Sequence, residues 1–273
     1  MRVATLFISL SLIPLGATLA GAEQLDAVRA RGTLICGTLG LFEPNSFQDP
    51  KSGKLVGYDI DICDEIAARL GVKPEYKIIA VAARVPELAQ NRVDVLTANF
   101  TYTPDRAQQV DFSDTYFVAS ENIAVARSSG IKALDELNGK RIATTEGSTS
   151  ADYAKAAIPG AQIITFKDGP TAFLAFQQNK AEGYAVNILS LRRYQEQVET
   201  SSNPIDILPQ STFDAPFGVG VAKDSPALKA EVNKVLHDLE ASGKLDEIWD
   251  RWVGKDSNYG LKRTFKVAPV SGH

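Results

Sequence analysis

The chain has 273 residues, with 29 lysines and arginines against 33 acidic residues, two histidines and a formal net charge of −4. Without an excess or a run of positive charge it lacks the electrostatic footprint of a nucleic-acid-binding protein, and no nucleic-acid partner is expected. His237 and His273 stand at no ligand spacing to Cys36 or Cys63, so neither a metal nor another cofactor is expected.

From the N-terminus, Arg2 opens a minimal basic region, residues 3–15 are almost wholly apolar, and Ala20-Gly21-Ala22 supplies the small residues that a signal peptidase reads. Residues 1–22 are therefore expected to be a signal peptide cleaved after Ala22. The alternative, an uncleaved anchor, suffers from Pro14, Gly16 and Thr18, which break a stretch already short of the ~20 apolar residues of a spanning helix. No cysteine follows the cleavage site to accept a lipid, so the mature chain is expected to be freely soluble in the periplasm. Its length of about 250 residues suits one large domain or two of roughly 100 to 150.

Strand-like runs occupy residues 34–37, 75–79, 93–98, 123–126, 141–144, 162–165, 183–186, 205–208 and 218–222. Helical periods lie between most of them, at 61–70, 85–90, 150–157, 171–179 and 189–198. Such alternation predicts an α/β fold of open, mostly parallel sheets flanked by helices, with ligands beyond the carboxyl ends of the strands. Two helices follow in succession, 225–242 and 245–253, and Trp249 and Trp252 on one face of the second predict packing onto a core. From Lys255 onward periodicity is lost, and a loosely attached tail is expected.

Cys36 lies near the end of the first strand and Cys63 in the first turns of the following helix, two places that a strand–helix unit brings to one level. In an oxidising compartment a disulfide is expected. Two separately buried thiols remain the alternative, because sequence does not fix the separation a bridge requires.

The strand at 93–98 leads through Asn99 and Thr101 into Thr103-Pro104-Asp105-Arg106. Thr103 is a good N-cap, Pro104 suits the first helical position and Asp105 complements the helix dipole. Arg106 thus falls in the first turn of a short helix beyond a strand end, where a guanidinium can grip a carboxylate bidentately. A surface salt bridge to Asp105 or Asp111 is the alternative. A second anion site is suggested at Gly147-Ser148-Thr149-Ser150, where hydroxyls and free amides open a helix.

The ordered set of Gly57-Tyr58-Asp59-Ile60-Asp61, Asn91-Arg92-Val93-Asp94, Thr103 to Arg106, Asp111-Phe112-Ser113 with Tyr116, Gly147 to Ser150 with Asp152-Tyr153, and the ending 243–252 resembles the polar-amino-acid family of periplasmic solute-binding proteins, the receptors of ABC importers. The resemblance covers residues 34–254. It implies a two-lobed periplasmic-binding-protein-like (type II) fold, with the ligand in the cleft and hinge crossings near residues 117–121 and 213–217. Lobe 1 would comprise residues 23–117 and a return segment, 214–258; lobe 2 would comprise 118–213; a C-terminal tail would span 259–273. The implied partners are a small carboxylate or amino acid and a membrane permease, with the receptor a monomer.

Carried over position by position, the resemblance makes Arg106 the holder of the ligand α-carboxylate, helped by Thr101 and the amides around Ser148 and Thr149. It makes the Asn99 carbonyl an acceptor for the α-ammonium and Phe42 an aromatic lid, with a plain core residue as the alternative for Phe42. Arg84 resembles an arginine that meets a side-chain carboxylate in acidic-amino-acid receptors; its alternatives are a solvated helix-end charge or a lobe-closing ion pair. Asn187 stands where relatives place an aspartate for the α-ammonium, so an acid such as Glu43 or Glu146 would have to serve, or the ligand would lack that ammonium. Leu39 stands where side-chain specificity is often set, which leaves specificity open. The implied function is capture of a small carboxylate ligand, a polar or acidic amino acid, without catalysis. The alternatives are an extracytoplasmic dehydratase-like enzyme on the same fold and a sensory binding protein for organic acids.

Overall fold

The computed structural model describes residues 23–270, and the expected leader lies outside them. The chain opens with α1 (Glu23–Arg31), an element without a counterpart in the expectations. It packs on the rest of the lobe through the buried Leu25 and Val28. There follow β1 (Thr33–Thr38), a small meander of β2 (Leu41–Phe42), β3 (Ser46–Gln48) and β4 (Leu55–Val56), then α2 (Tyr58–Leu70), β5 (Lys73–Ile78), α3 (Arg84–Ala89), β6 (Val95–Leu96), α4 (Pro104–Gln109) and β7 (Asp111–Ala126). The middle of the chain forms β8 (Arg141–Thr145), α5 (Thr149–Ala157), β9 (Gln162–Phe166), α6 (Gly169–Gln177), β10 (Gly183–Asn187), α7 (Ile188–Val198) and β11 (Ile205–Ile207). The return consists of β12 (Phe213–Val221), α8 (Pro226–Ser242) and α9 (Lys244–Trp252).

These elements make two lobes. In the first, β5, β1 and β6 run parallel and β12 closes antiparallel on β6. In the second, β9, β8 and β10 run parallel, β10 pairs antiparallel with β7, and β11 lies on the other side of β7. Strands β7 and β12 belong to both lobes, and the residues expected at the crossings are paired with each other, from Phe213 opposite Glu121 to Phe217 opposite Phe117. The expected strand at 123–126 is the end of this 16-residue β7.

Lobe 1 buries one sheet face under α1, α2, α8 and α9, around Leu34, Ile66, Val232, Leu236 and Trp249. Its other face lies against α3 and α4, around Leu88, Leu96, Phe100 and Phe112. Lobe 2 packs Phe173, Phe176, Tyr184 and Tyr194 on one face and Ile123, Ile142 and Ala154 on the other. The Cys36–Cys63 disulfide is formed, with Cα atoms 6.4 Å apart, and ties β1 to α2. The tail differs from expectation. It is docked on lobe 1: Leu261 N–H donates to Val253 O (3.0 Å), Thr115 N–H to Ala268 O (2.7 Å), and Arg263, its side chain 4% exposed, bridges Glu240 and Asp246. Individual side chains fix it, which a search for periodicity does not detect.

Candidate functional site

The site begins with a brace. Gly57 has φ 135°, and a Cβ there would fall 2.2 Å from Asn45 O, so only glycine lets Tyr58 and Asp59 donate their amides to Pro44 O and Asn45 O. Asp59, fully buried, then accepts from Asn99 N–H (2.8 Å) and Tyr116 O–H (2.7 Å), while burial lifts its pKa to about 6. The Gly57 to Asp61 motif thus fixes the loop after β6 from behind. In that loop Asn99 sits at φ 53°, and its carbonyl accepts from Arg84 (2.8 Å). Its side-chain Oδ1 is buried without a partner.

Arg84 is not a solvated charge, and among the described residues it has no acidic partner. It is 4% exposed and donates to four carbonyls: Val81 O at 3.0 Å, Ala98 O at 3.1 Å, Asn99 O at 2.8 Å and, across the cleft, Gly147 O at 3.3 Å. Burial, reinforced by nearby Arg106, holds its pKa well below the usual arginine range. Thr103 caps α4 as expected, accepting from Arg106 N–H (3.2 Å). The Arg106 guanidinium donates to Thr101 O (2.8 Å) and to Gly147 O (2.9 Å). Asp111 pairs instead with Lys223 (3.0 Å), so the alternative of a surface salt bridge between Arg106 and Asp111 is not realised. Both guanidinium carbons lie just over 5 Å from the Phe100 ring centroid, so one aromatic ring supports both cations (5.3 and 5.1 Å).

On lobe 2, β8 turns through Gly147, at φ 73°, into α5. Ser148 departs from expectation, because its amide (3.1 Å) and hydroxyl (2.7 Å) are both spent on Thr145 O of its own turn. The donors left for an anion are the leading amides of α5, from Thr149 onward. Thr149 Oγ1 also donates to Thr101 Oγ1 across the cleft (3.3 Å). Asn187 ends β10 and caps α7, its Oδ1 accepting from Ser190 N–H (3.0 Å). One lone pair of its oxygen is thus taken by the cap, and what the side chain adds to the cleft wall is a neutral amide rather than a carboxylate.

Phe42, Arg84, Asn99, Thr101, Ser148, Thr149 and Asn187 line one cavity of about 30 Å³, far below the ~300–1,000 Å³ usual for small-molecule sites, so the lobes as they stand leave room for water but not for an amino acid. Arg106 does not. It borders an adjoining cavity with Thr149, Asp152, Tyr153 and Phe213. Phe42 touches the cores of both lobes, as a lid requires, and Leu39 lies on the wall.

Neither acid expected to replace the family's aspartate does so: Glu43 pairs with Arg193 (3.1 Å) and Glu146 is exposed. The acid on the wall is Glu121, 5% exposed, on β7. Burial raises its pKa to about 7 against the lowering effects of Ser150 O–H, which donates to Oε2 at 2.6 Å, and of Arg106 and Arg84. Its signal in the sequence is that it is the only charge between Asp114 and Arg127.

The fold and the cleft define a two-lobed solute receptor, and comparison agrees. Residues 34–255 match the bacterial extracellular solute-binding proteins, family 3, and the chain belongs to that family. It is 28% identical to the ABC transporter glutamine-binding protein of Bacillus subtilis over 241 residues, which cover 86% of each chain. Among solved structures, an ancestral arginine-binding protein bound to arginine is 34% identical with a TM-score of 0.76, over 82% of this chain and 99% of that one. An ancestral amino-acid-binding protein, a precursor of cyclohexadienyl dehydratase, is 30% identical with a TM-score of 0.74, over 84% and 98%.

Proposed function

We propose that the protein is the periplasmic receptor of an ABC importer for a polar or acidic amino acid, delivered as a monomer to a membrane permease after loss of residues 1–22. The observation that carries this reading is the convergence of Arg84 and Arg106 from lobe 1 on a single lobe 2 carbonyl, Gly147 O. When the lobes part, both guanidinium groups lose that partner and present N–H donors to a carboxylate. The ligand, held first by these arginines on lobe 1, gains the leading amides of α5 and Asn187 on closure. Ligand shifts the open–closed equilibrium only by the contacts it makes better in the closed form. The proposed lobe boundaries are 23–117 with 214–258 and 118–213, bending between them.

A thermal-shift screen of amino acids and dicarboxylates tests the reading, since a ligand at a hundred times its Kd stabilises by about 2.7 kcal/mol. Arg106→Ala is expected to abolish binding while leaving the fold intact; unchanged affinity by calorimetry would remove Arg106 from the site. One observation favours a second reading, a dehydratase: Glu121 is a buried carboxyl on the cleft wall, and burial raises its pKa to about 7, which suits a general acid or base. Incubation of each screening hit with the protein, followed by analysis for product, decides between the two.

A further inference from the structure

The cleft contains a cross-strand pair whose two side chains have exchanged roles. Asn187 on β10 and Glu121 on β7 are antiparallel partners in register, so their side chains emerge on the same face with Cβ atoms ~5 Å apart. Both are buried, and both line the cavity. Asn187 is neutral and its oxygen already accepts from the cap of α7, so it does not supply the negative charge that an ammonium calls for. Glu121 has one oxygen on the Ser150 hydroxyl, and Arg84 and Arg106 act on it only through space. Across the cleft, Asn99 Oδ1 is a buried acceptor without a partner.

We propose that Glu121 is the specificity-determining acid that receives the ligand's α-ammonium, one strand over from the position where the family carries its aspartate, with Asn99 Oδ1 as a second acceptor. This rests on the amino-acid-receptor reading and deepens it, since it assigns the ligand a cationic nitrogen as well as a carboxylate. A zwitterion then lies with its carboxylate toward the arginines and its ammonium toward Glu121, so that neither end enters the buried cleft without an opposite charge. A des-amino analogue leaves Glu121 facing apolar atoms, and the cleft discriminates against it.

The assignment carries a proton signature. The groups facing Glu121 are Arg84, Arg106, Tyr153 and Tyr184, with Ser150 as its hydrogen-bond donor. Because the free carboxyl titrates near neutrality and an ammonium binds only its ionised form, binding expels part of a proton at pH 7. Affinity for amino acids falls as pH drops below 7, approaching tenfold per unit. The affinity of des-amino acids does not follow that curve.

The experiment is calorimetry of the purified protein with L-glutamine, L-glutamate and L-arginine, each beside its des-amino counterpart: 5-amino-5-oxopentanoate, glutarate and 5-guanidinopentanoate. Wild type is expected to prefer the amino form of its ligand by about 10- to 100-fold, the range of one hydrogen bond to a charged group, and Glu121→Gln is expected to lose that preference. The double variant Glu121→Gln/Asn187→Asp returns the acid to the partner strand while keeping an α7 cap, and is expected to restore the preference. Retention of the preference in a folded Glu121→Gln protein overturns the assignment and leaves the receptor reading standing. Equal affinity of wild type for the amino and des-amino forms also overturns it. Failure of every probe to bind wild type overturns the amino-acid reading and this inference with it.

Discussion

Gly147→Ala is the sharpest test of lobe closure. The residue sits on lobe 2 at φ 73°, and a Cβ there would lie 2.6 Å from Ala82 Cα and 2.9 Å from Ala82 Cβ on lobe 1. Ordinary contact begins at 3.4 Å, so the lobes must part locally by about 0.8 Å, the difference between 3.4 and 2.6 Å. That displacement carries Gly147 O out of hydrogen-bond range of Arg106, now 2.9 Å away, and of Arg84, now 3.3 Å away. Bonds from charged donors contribute about 1.5–3 kcal/mol each; with Arg106 partly exposed and the Arg84 bond long, about 3 kcal/mol for the pair is reasonable. Because both bonds exist only when the lobes are closed, the loss falls on binding, which weakens about 100-fold. The added methyl also strains the backbone by about 1–2 kcal/mol, and Gly139→Ala controls for this: its φ is 75°, with nothing within 4 Å of a Cβ. Calorimetry with the ligand found by screening reads affinity, and small-angle scattering reads closure. Affinity within threefold of wild type in a folded Gly147→Ala protein would refute the closed geometry described.

The remaining predictions concern stability and pH. Asn187→Ala removes the α7 cap and is expected to cost about 1 kcal/mol in denaturant unfolding, whereas Asn187→Asp retains most of it. Reduction of Cys36–Cys63, with a sequence separation of 27, is expected to cost about 3.5 kcal/mol from loop closure, read by urea titration with and without reductant. Glu121 has a folded pKa raised by burial to about 7, so the folded state binds the extra proton and stability declines as pH rises from about 4.5 through 7; Glu121→Gln is expected to flatten that decline in melting temperature. Glu240 is the opposite case: hydrogen bonds from Arg263 hold its pKa down to about 2, so its stabilisation is present above pH 4.5 and lost as pH falls toward 2. A steeper acid loss in Arg263→Met than in wild type would contradict that assignment.

What was legible in the sequence follows from the range over which each signal acts. The Thr103-Pro104 cap, the turn at Gly147 and the strand–helix proximity of Cys36 and Cys63 are local, and all three appear as expected. The resemblance supplied the crossing strands, which local patterns did not: of β7 only residues 123–126 read as a strand, because a strand shared by two lobes changes its surroundings partway along. Positions in the site proved easier to read than roles. Ser148, Asn99 and Asn187 all line the cavity, yet the atoms expected to meet ligand are occupied by a turn, by Arg84 and by a helix cap. Glu121 escaped notice because its relevance depends on register with β10, a long-range pairing that one sequence does not state.

The docked tail has a mechanical consequence. Ala268 accepts from Thr115, and Phe265 packs 6.1 Å from Phe117, so the lobe 1 end of β7 is splinted up to the crossing. Just beyond, Val118 faces Pro216, which has no N–H to give the ladder. Rotation is therefore expected to concentrate in residues 118–120 and their partners. A chain ended at residue 255, where the family match stops, would keep both walls of the cleft and lose the splint, so its lobes would swing about a different, less sharply defined axis.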